Sequence, residues 1–413
     1  MKILILASVW PEPRSSAAGS RTLQLIQGFL DQDYTVSIAS AAKHTEYEAD
    51  LEALGVDTHA IELNSSSFDD FITQLQPNIV VFDRFMTEEQ FSWRVAEACP
   101  QAMHILDTQD LHFLRDARRK AIQANHKDKT DLDLQTDLAK REVAAIYRAD
   151  LSLIISAFEY RLLIEDFSVP EVILHYLPFM LEPPTQQAKA ILPSFKERKH
   201  FISIGNFLHA PNWDAVLQLK TTIWPRIRQA LPDAELHVYG AYPPQKAFAL
   251  HSPKDGFLVK GRAEDAYKVL REARVLLAPL RFGAGLKGKL IDAMQCGVPS
   301  VTSSIGTEGI SDGAWAGFRE DDMAAFATSA IQLYTDESLW TQKQAVGFEL
   351  LSQFDKANHL PSFLQRIREI HDDLSLHRSH NFIGKMLRHH TMQSTKYMSR
   401  WIEAKNKAVG EDA

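Results

Sequence analysis

The 413-residue sequence predicts an α/β protein built from doubly wound parallel sheets. Short apolar runs of strand length alternate with helical segments through the first half. Pro170, Pro178, Pro183 and Pro184 then punctuate the chain, and the alternation resumes beyond them. The run Pro279 to Val301 packs a strand end, a cationic glycine loop, a helix and the start of another strand into 23 residues.

In chain order, Ile3 to Ala7, Thr35 to Ala39, Ile79 to Phe82, His104 to Leu106 and Leu151 to Ile155 read as strands. Thr22 to Leu30 and Thr87 to Ala98 read as helices between them. Ser156 and Glu159 have capping-box spacing for the next helix, and Gln186 to Lys199 reads as a linker. Two Rossmann-like halves joined by a proline-rich hinge imply a cleft, with ligand sites at the carboxyl ends of both sheets and closure on substrate.

Composition fits a globular protein with ample core, at 45% hydrophobic and 24% charged residues. A net charge of −8 argues against a nucleic-acid partner. Cys99 and Cys296 lie far apart in α/β segments, which points to a reduced, cytoplasmic setting rather than a disulfide or a metal site. The first apolar run, Ile3 to Leu6, is too short for a signal peptide or a membrane span, and no later run is long enough.

The Pro279 to Val301 run has the layout of an anion site. Val275 to Ala278 reads as a buried strand, and Gly283, Ala284 and Gly285 let the backbone approach a ligand. A helix expected from near Leu286 would turn its unpaired N–H groups and positive dipole end toward a phosphate, with Arg281, Lys287 and Lys289 in reach. Leu286, Leu290 and Ala293 form its core stripe, whereas Asp292 falls on another face and could accept from a sugar hydroxyl. Gly297 ends the helix and Pro299 enters the next strand. The plain alternative is a solvated basic loop with an ordinary Lys289–Asp292 helix pair.

On these residues the stretch from Phe201 to about Ile310 resembles the donor-binding half of group 1 (family 4) glycosyltransferases with the GT-B fold. Ile204 to Phe207 with Pro211 to Ala215 resembles that domain's first strand, loop and helix; Leu236 to Gly240 resembles a strand ending in glycine. Val259 to Arg262 resembles the strand contacting the base, and Ile305 to Gly309 completes the pattern. The resemblance implies two Rossmann-like doubly wound domains facing a central cleft: 1–185 on the acceptor side, 186–353 binding the nucleotide sugar, 354–375 crossing back as a helix, and 376–413 as a basic amphipathic tail. It implies donor contacts at Gly19, Asn206, Gly240, Arg262, Gly283, Gly285, Lys289, Asp292 and Glu308, with Gly306 also bordering the pocket.

This chain departs from the family pattern in places. The usual pair of glutamates eight positions apart falls on Ala284 and Asp292, and an expected Arg and Lys are replaced by Asn206 and His209. Arg281 and Lys287 are therefore expected to neutralise the diphosphate. In the first half, the loop Pro11 to Arg21 is expected over the cleft. Asp107, Asp110 and His112 crowd one strand end, where the family often has a histidine touching the donor sugar. Asp107 or Asp110 could instead cap the next helix. Arg115, Arg118, Arg119 and Lys120 suit either a solvated helix face or a surface for an anionic acceptor, while Asp131-Leu132-Asp133 looks like a metal-binding pair of another fold but sits in a polar helical stretch.

Phe354 to Ile370, with Leu360, Phe363, Leu364 and Ile367 at helical spacing, resembles the crossing helix. The tail beyond Leu376 carries seven Lys or Arg against three Asp or Glu, with Phe382, Ile383, Met386, Leu387, Tyr397, Met398, Trp401 and Ile402 interleaved. It could lie on a membrane, on a partner or on its own domain. The function implied is a retaining, metal-independent transfer of a sugar from a nucleotide diphosphate donor to an acceptor hydroxyl, on a glycan or a lipid-linked acceptor, with Arg281, Lys287, His112 and Asp107 as catalytic residues and no cofactor. A sugar-nucleotide epimerase and a non-catalytic scaffold are the alternatives.

Overall fold

The computed structural model describes residues 1–124 and 132–411. Asp131 therefore lies outside the described residues. The first sheet is parallel throughout, in the order β3-β2-β1-β4-β5-β6-β7. Its strands are β1 (Lys2–Ala7), β2 (Thr35–Ser40), β3 (Asp57–Ala60), β4 (Ile79–Asp83), β5 (Met103–Asp107), β6 (Leu151–Ile154) and β7 (Leu174–Tyr176). The second is also parallel, in the order β10-β9-β8-β11-β12-β13. It comprises β8 (His200–Ile204), β9 (Leu236–Tyr239), β10 (Phe257–Gly261), β11 (Ala273–Ala278), β12 (Ser300–Thr302) and β13 (Gly317–Arg319).

Central strands such as β1 and β4 are apolar along their length because helices cover both sheet faces. The edge strand β3 and the three-residue strands β7 and β13 carry no such run, so no sequence signal marks them.

The chain crosses between the domains twice, side by side. The Leu181 N–H donates to the Phe354 carbonyl at 2.7 Å, and the Lys356 N–H to the Leu181 carbonyl at 2.8 Å. Helix Lys356–Asp372 then buries Leu360, Phe363, Leu364 and Ile367 in the first domain's core with Leu25, Ile26 and Phe29. The segment Gln186 to Lys199, expected as a linker, is anchored instead. Thr185 caps the short helix Gln186–Ala190, and the buried Arg198 guanidinium donates to the carbonyls of Pro193, Ala273 and Cys296.

Helices Leu374–His380 and Phe382–Glu411 close the chain, the latter lying along helices Phe85–Ala98 and Asp137–Arg148 of the first domain. Arg378 and Arg388 converge on the buried Asp150, at 2.8 and 2.9 Å. Burial alone would raise the Asp150 pKa, but the two guanidiniums outweigh it and hold the carboxyl well below the usual range.

Candidate active site

The two sheets turn their carboxyl ends toward a cavity of about 440 Å³. From the first domain come the loop Pro13 to Ala18 after β1, Arg84 after β4, and Gln109, Asp110, His112 and Arg115 after β5. The second domain contributes the loops after β8, β9, β10 and β11. This is where parallel α/β sheets place ligands, since loops diverge there and helices begin.

Eight of the expected residues line the cavity: His112, Asn206, Gly240, Arg262, Gly283, Lys287, Lys289 and Asp292. Gly240 has a steric reason to be glycine, because a Cβ there would stand 2.2 Å from the Gly205 carbonyl oxygen. The Arg262 guanidinium lies over the Tyr47 ring of the first domain, 3.9 Å from its centroid. His112 Nε2 is 3.3 Å from the Asp110 carboxylate, which also pairs with Arg115. Burial pulls the neighbouring His209 down to about 4, so it is a neutral imidazole near pH 7.

The lysines carry the cationic character of the glycine loop. Lys287 Nζ donates to the Gly285 carbonyl at 2.8 Å, and Lys289 Nζ to Asn212 Oδ1 at 2.7 Å. Burial lowers both to about 8, which leaves them mostly protonated at neutral pH. They flank the start of helix Gly288–Gln295, whose cap residue Lys287 makes no side-chain cap bond. That helix begins two residues later than the expected Leu286, because Gly285 adopts φ +62° and the Lys287 ammonium folds back on it. Asp292 Oδ1 accepts from the Tyr267 hydroxyl at 3.1 Å, and burial raises its carboxyl to about 6.

Five of the expected residues do not line the cavity. Arg281 is absent from the cavity wall: its Nε donates to Asp214 Oδ2 at 2.8 Å, so an ion pair occupies the guanidinium. Asp107 is buried beneath the cleft and accepts from Arg21 Nε at 2.9 Å, while Arg21 also donates to the Leu177 carbonyl in the hinge at 2.6 Å. Gly19 makes room for backbone, since a Cβ would meet Glu12 at 2.5 Å, and it does not face the cavity. Gly285 shapes the loop instead of offering its N–H to a ligand, because that N–H donates to Glu159 at 2.7 Å. Glu308 is held by Arg118 through two bonds of 2.8 and 2.6 Å, and Arg118 also donates to the Gly283 carbonyl at 2.8 Å, which joins the domains.

Glu159, Arg118 and Asn212 are therefore residues of the site whose roles the sequence does not reveal. Glu159 has capping-box spacing, yet Ser156 makes no side-chain cap bond; the carboxylate reaches the Leu111 N–H at 3.1 Å and the Gly285 N–H instead. Among the described residues no group of three or more His, Cys, Asp or Glu side chains is placed to hold a metal ion.

Two doubly wound Rossmann-like domains sharing one cleft define the GT-B fold. Residues 198–336 match the family model described as glycosyl transferases group 1. No curated protein sequence matches the chain. Among solved structures, a mutant of S. aureus TarM in complex with fondaparinux, α-GlcNAc-glycerol and UDP is similar at TM-score 0.67 and 9% identity, over 88% of this chain and 99% of that one. A glycosyltransferase from Rickettsia africae gives 0.63 and 13% over 90% and 99%. Anabaena HepE in complex with UDP and glucose gives 0.62 and 12% over 89% and 99%. At these identities the likeness is one of fold.

Proposed function

We propose that this chain is a family 4 glycosyltransferase that moves a sugar from a nucleotide diphosphate donor to an acceptor hydroxyl, with retention of configuration. One observation carries the reading: two lysines, the buried Lys287 and the half-buried Lys289, flank a helix start on the wall of a cleft shared by both domains. Breaking a glycosyl–phosphate bond develops charge on the leaving diphosphate, and fixed cations with a helix dipole answer that charge without reorganisation. In this reading Lys287, Lys289 and the first turn of helix Gly288–Gln295 hold the diphosphate, and Asp292, oriented by Tyr267, holds a ribose hydroxyl. Asn206, Gly240 and Arg262 border the nucleotide, and His112 faces the sugar. The departing phosphate takes the acceptor proton, so no protein nucleophile, metal or cofactor is needed. The acceptor is a glycan or a lipid-linked hydroxyl. Both cysteines are free and buried, which supports a cytoplasmic enzyme.

UDP is the first nucleotide to try, since the TarM mutant and HepE were solved with it. Thermal shift against UDP, GDP, ADP, TDP and CMP tests the reading. One diphosphate should raise the melting temperature well above the effect of CMP; no response to any of the diphosphates would overturn the assignment.

A further inference from the structure

Helix Phe382–Glu411 has two unlike faces. Its inner face meets the first domain: Ser399 is buried beside Arg94, Glu403 accepts from the Ser66 N–H at 3.2 Å, and Arg388 reaches Asp150. Among the described residues, the outer face carries large apolar side chains that are exposed. Phe382, Met386, Tyr397 and Trp401 recur at spacings that return to one side of an α-helix, and they are 73%, 45%, 64% and 60% exposed. Ile383 and Met398 widen this stripe.

The charge of the helix is also distinctive. It carries six Lys or Arg against two Glu, in a chain whose net charge is −8. Lys385 and Lys405 are exposed, and Lys405 lies 5.4 Å from the Trp401 ring centroid, whereas the exposed Arg400 and Lys407 face Glu97 at 3.6 Å and Glu403 at 2.9 Å.

We propose that this outer face docks the protein on an anionic lipid bilayer. Large aromatic and flexible apolar side chains flanked by long cations suit the boundary between headgroups and acyl chains, where the cations extend toward lipid phosphates. Among the described residues no helix is long and apolar enough to cross a membrane, so the contact would be peripheral. A second copy fits poorly, because the same cations would face each other. A polar nucleic-acid groove would leave Ile383, Met386 and Met398 without an apolar partner. The inner face already holds the helix in place, so docking requires no folding step. The rest of the chain is acidic overall, so its net charge adds no attraction to an anionic surface.

The full-length protein is to be sedimented with vesicles of phosphatidylcholine alone and of phosphatidylcholine rich in phosphatidylglycerol. Pelleting with the anionic vesicles only, and release at high salt, is the expected result. Phe382→Ser with Trp401→Ser, and separately Lys385→Glu with Lys405→Glu, alter exposed side chains, so the melting temperature should hold. Partitioning should weaken at least about tenfold in each. The proposal is overturned if wild type stays in the supernatant, or if both double variants pellet as wild type does. It also fails if single-stranded RNA is bound in preference to vesicles, or if light scattering finds a dimer that the Phe382→Ser, Trp401→Ser variant dissolves.

Discussion

The Glu159 carboxylate of the first domain accepts the Gly285 backbone N–H of the second at 2.7 Å. The same oxygen accepts from the Leu111 N–H at 3.1 Å, so one buried side chain ties the end of β5 to the glycine loop. Burial, and Asp110 beside it, raise this carboxyl to about 7.

Glu159→Ala should leave two buried N–H groups without an acceptor, at about 1–3 kcal/mol each, and should lower the melting temperature. Glu159→Gln keeps an acceptor and should cost less. Because the folded-state value lies above the ordinary 4.5, the folded protein holds this proton more tightly than the unfolded chain. Its contribution is full below pH 4.5 and is lost as pH rises through about 7. Thermal denaturation at several pH values should therefore show wild type losing stability relative to the Gln variant across that window.

Lys287→Ala and Lys289→Ala should each weaken nucleoside diphosphate binding about tenfold to a hundredfold, the loss of a charge-assisted contact of roughly 1.5–3 kcal/mol. Arg281→Ala should leave that affinity within about threefold of wild type, because Asp214 already holds the guanidinium. Titration calorimetry compares the three. A large loss in Arg281→Ala alone would return the phosphate site to Arg281.

Diphosphate affinity should begin to fall above about pH 8, where burial lets both lysines lose their protons. The ligand-free protein should behave oppositely. With folded-state values below the ordinary 10.5, it binds fewer protons than the unfolded chain between pH 8 and 10.5, so these lysines make stability rise with pH there. Melting curves with and without nucleotide should converge as the pH rises through this window.

If side-chain cations and a helix end neutralise the leaving diphosphate, turnover should survive excess EDTA. Donor consumption is followed before and after chelation. Activity lost on chelation and restored by Mg²⁺ or Mn²⁺ would mean that a metal shares this task.

Deleting residues 376–413 should lower the melting temperature. It strips Arg378 and Arg388 from Asp150, and an unpaired buried carboxylate costs about 3–5 kcal/mol. Asp150→Asn in the full-length chain should lose part of that stability too, since the guanidiniums would face a neutral amide. Unaltered melting in both variants would show that the tail is not stabilised through Asp150.

The sequence alone determined the parallel α/β class, most central strands and the region of the second domain where the cavity lies. Strands buried on both faces must be continuously apolar, and a glycine loop opening a helix is a local device written in adjacent residues. Which charges remain available to a ligand is a different matter, decided by partners distant in the chain. Arg281 is matched by Asp214, Asp107 by Arg21, and Glu308 by Arg118, at separations of 67, 86 and 190 residues. Nothing near any of these residues in sequence announces its partner, whereas Lys287 and Lys289 donate to the neutral Gly285 carbonyl and Asn212 amide and line the cavity. Local pattern thus located the loop, and only the tertiary structure decided which of its charges are ion-paired, because an ion pair forms between side chains close in space.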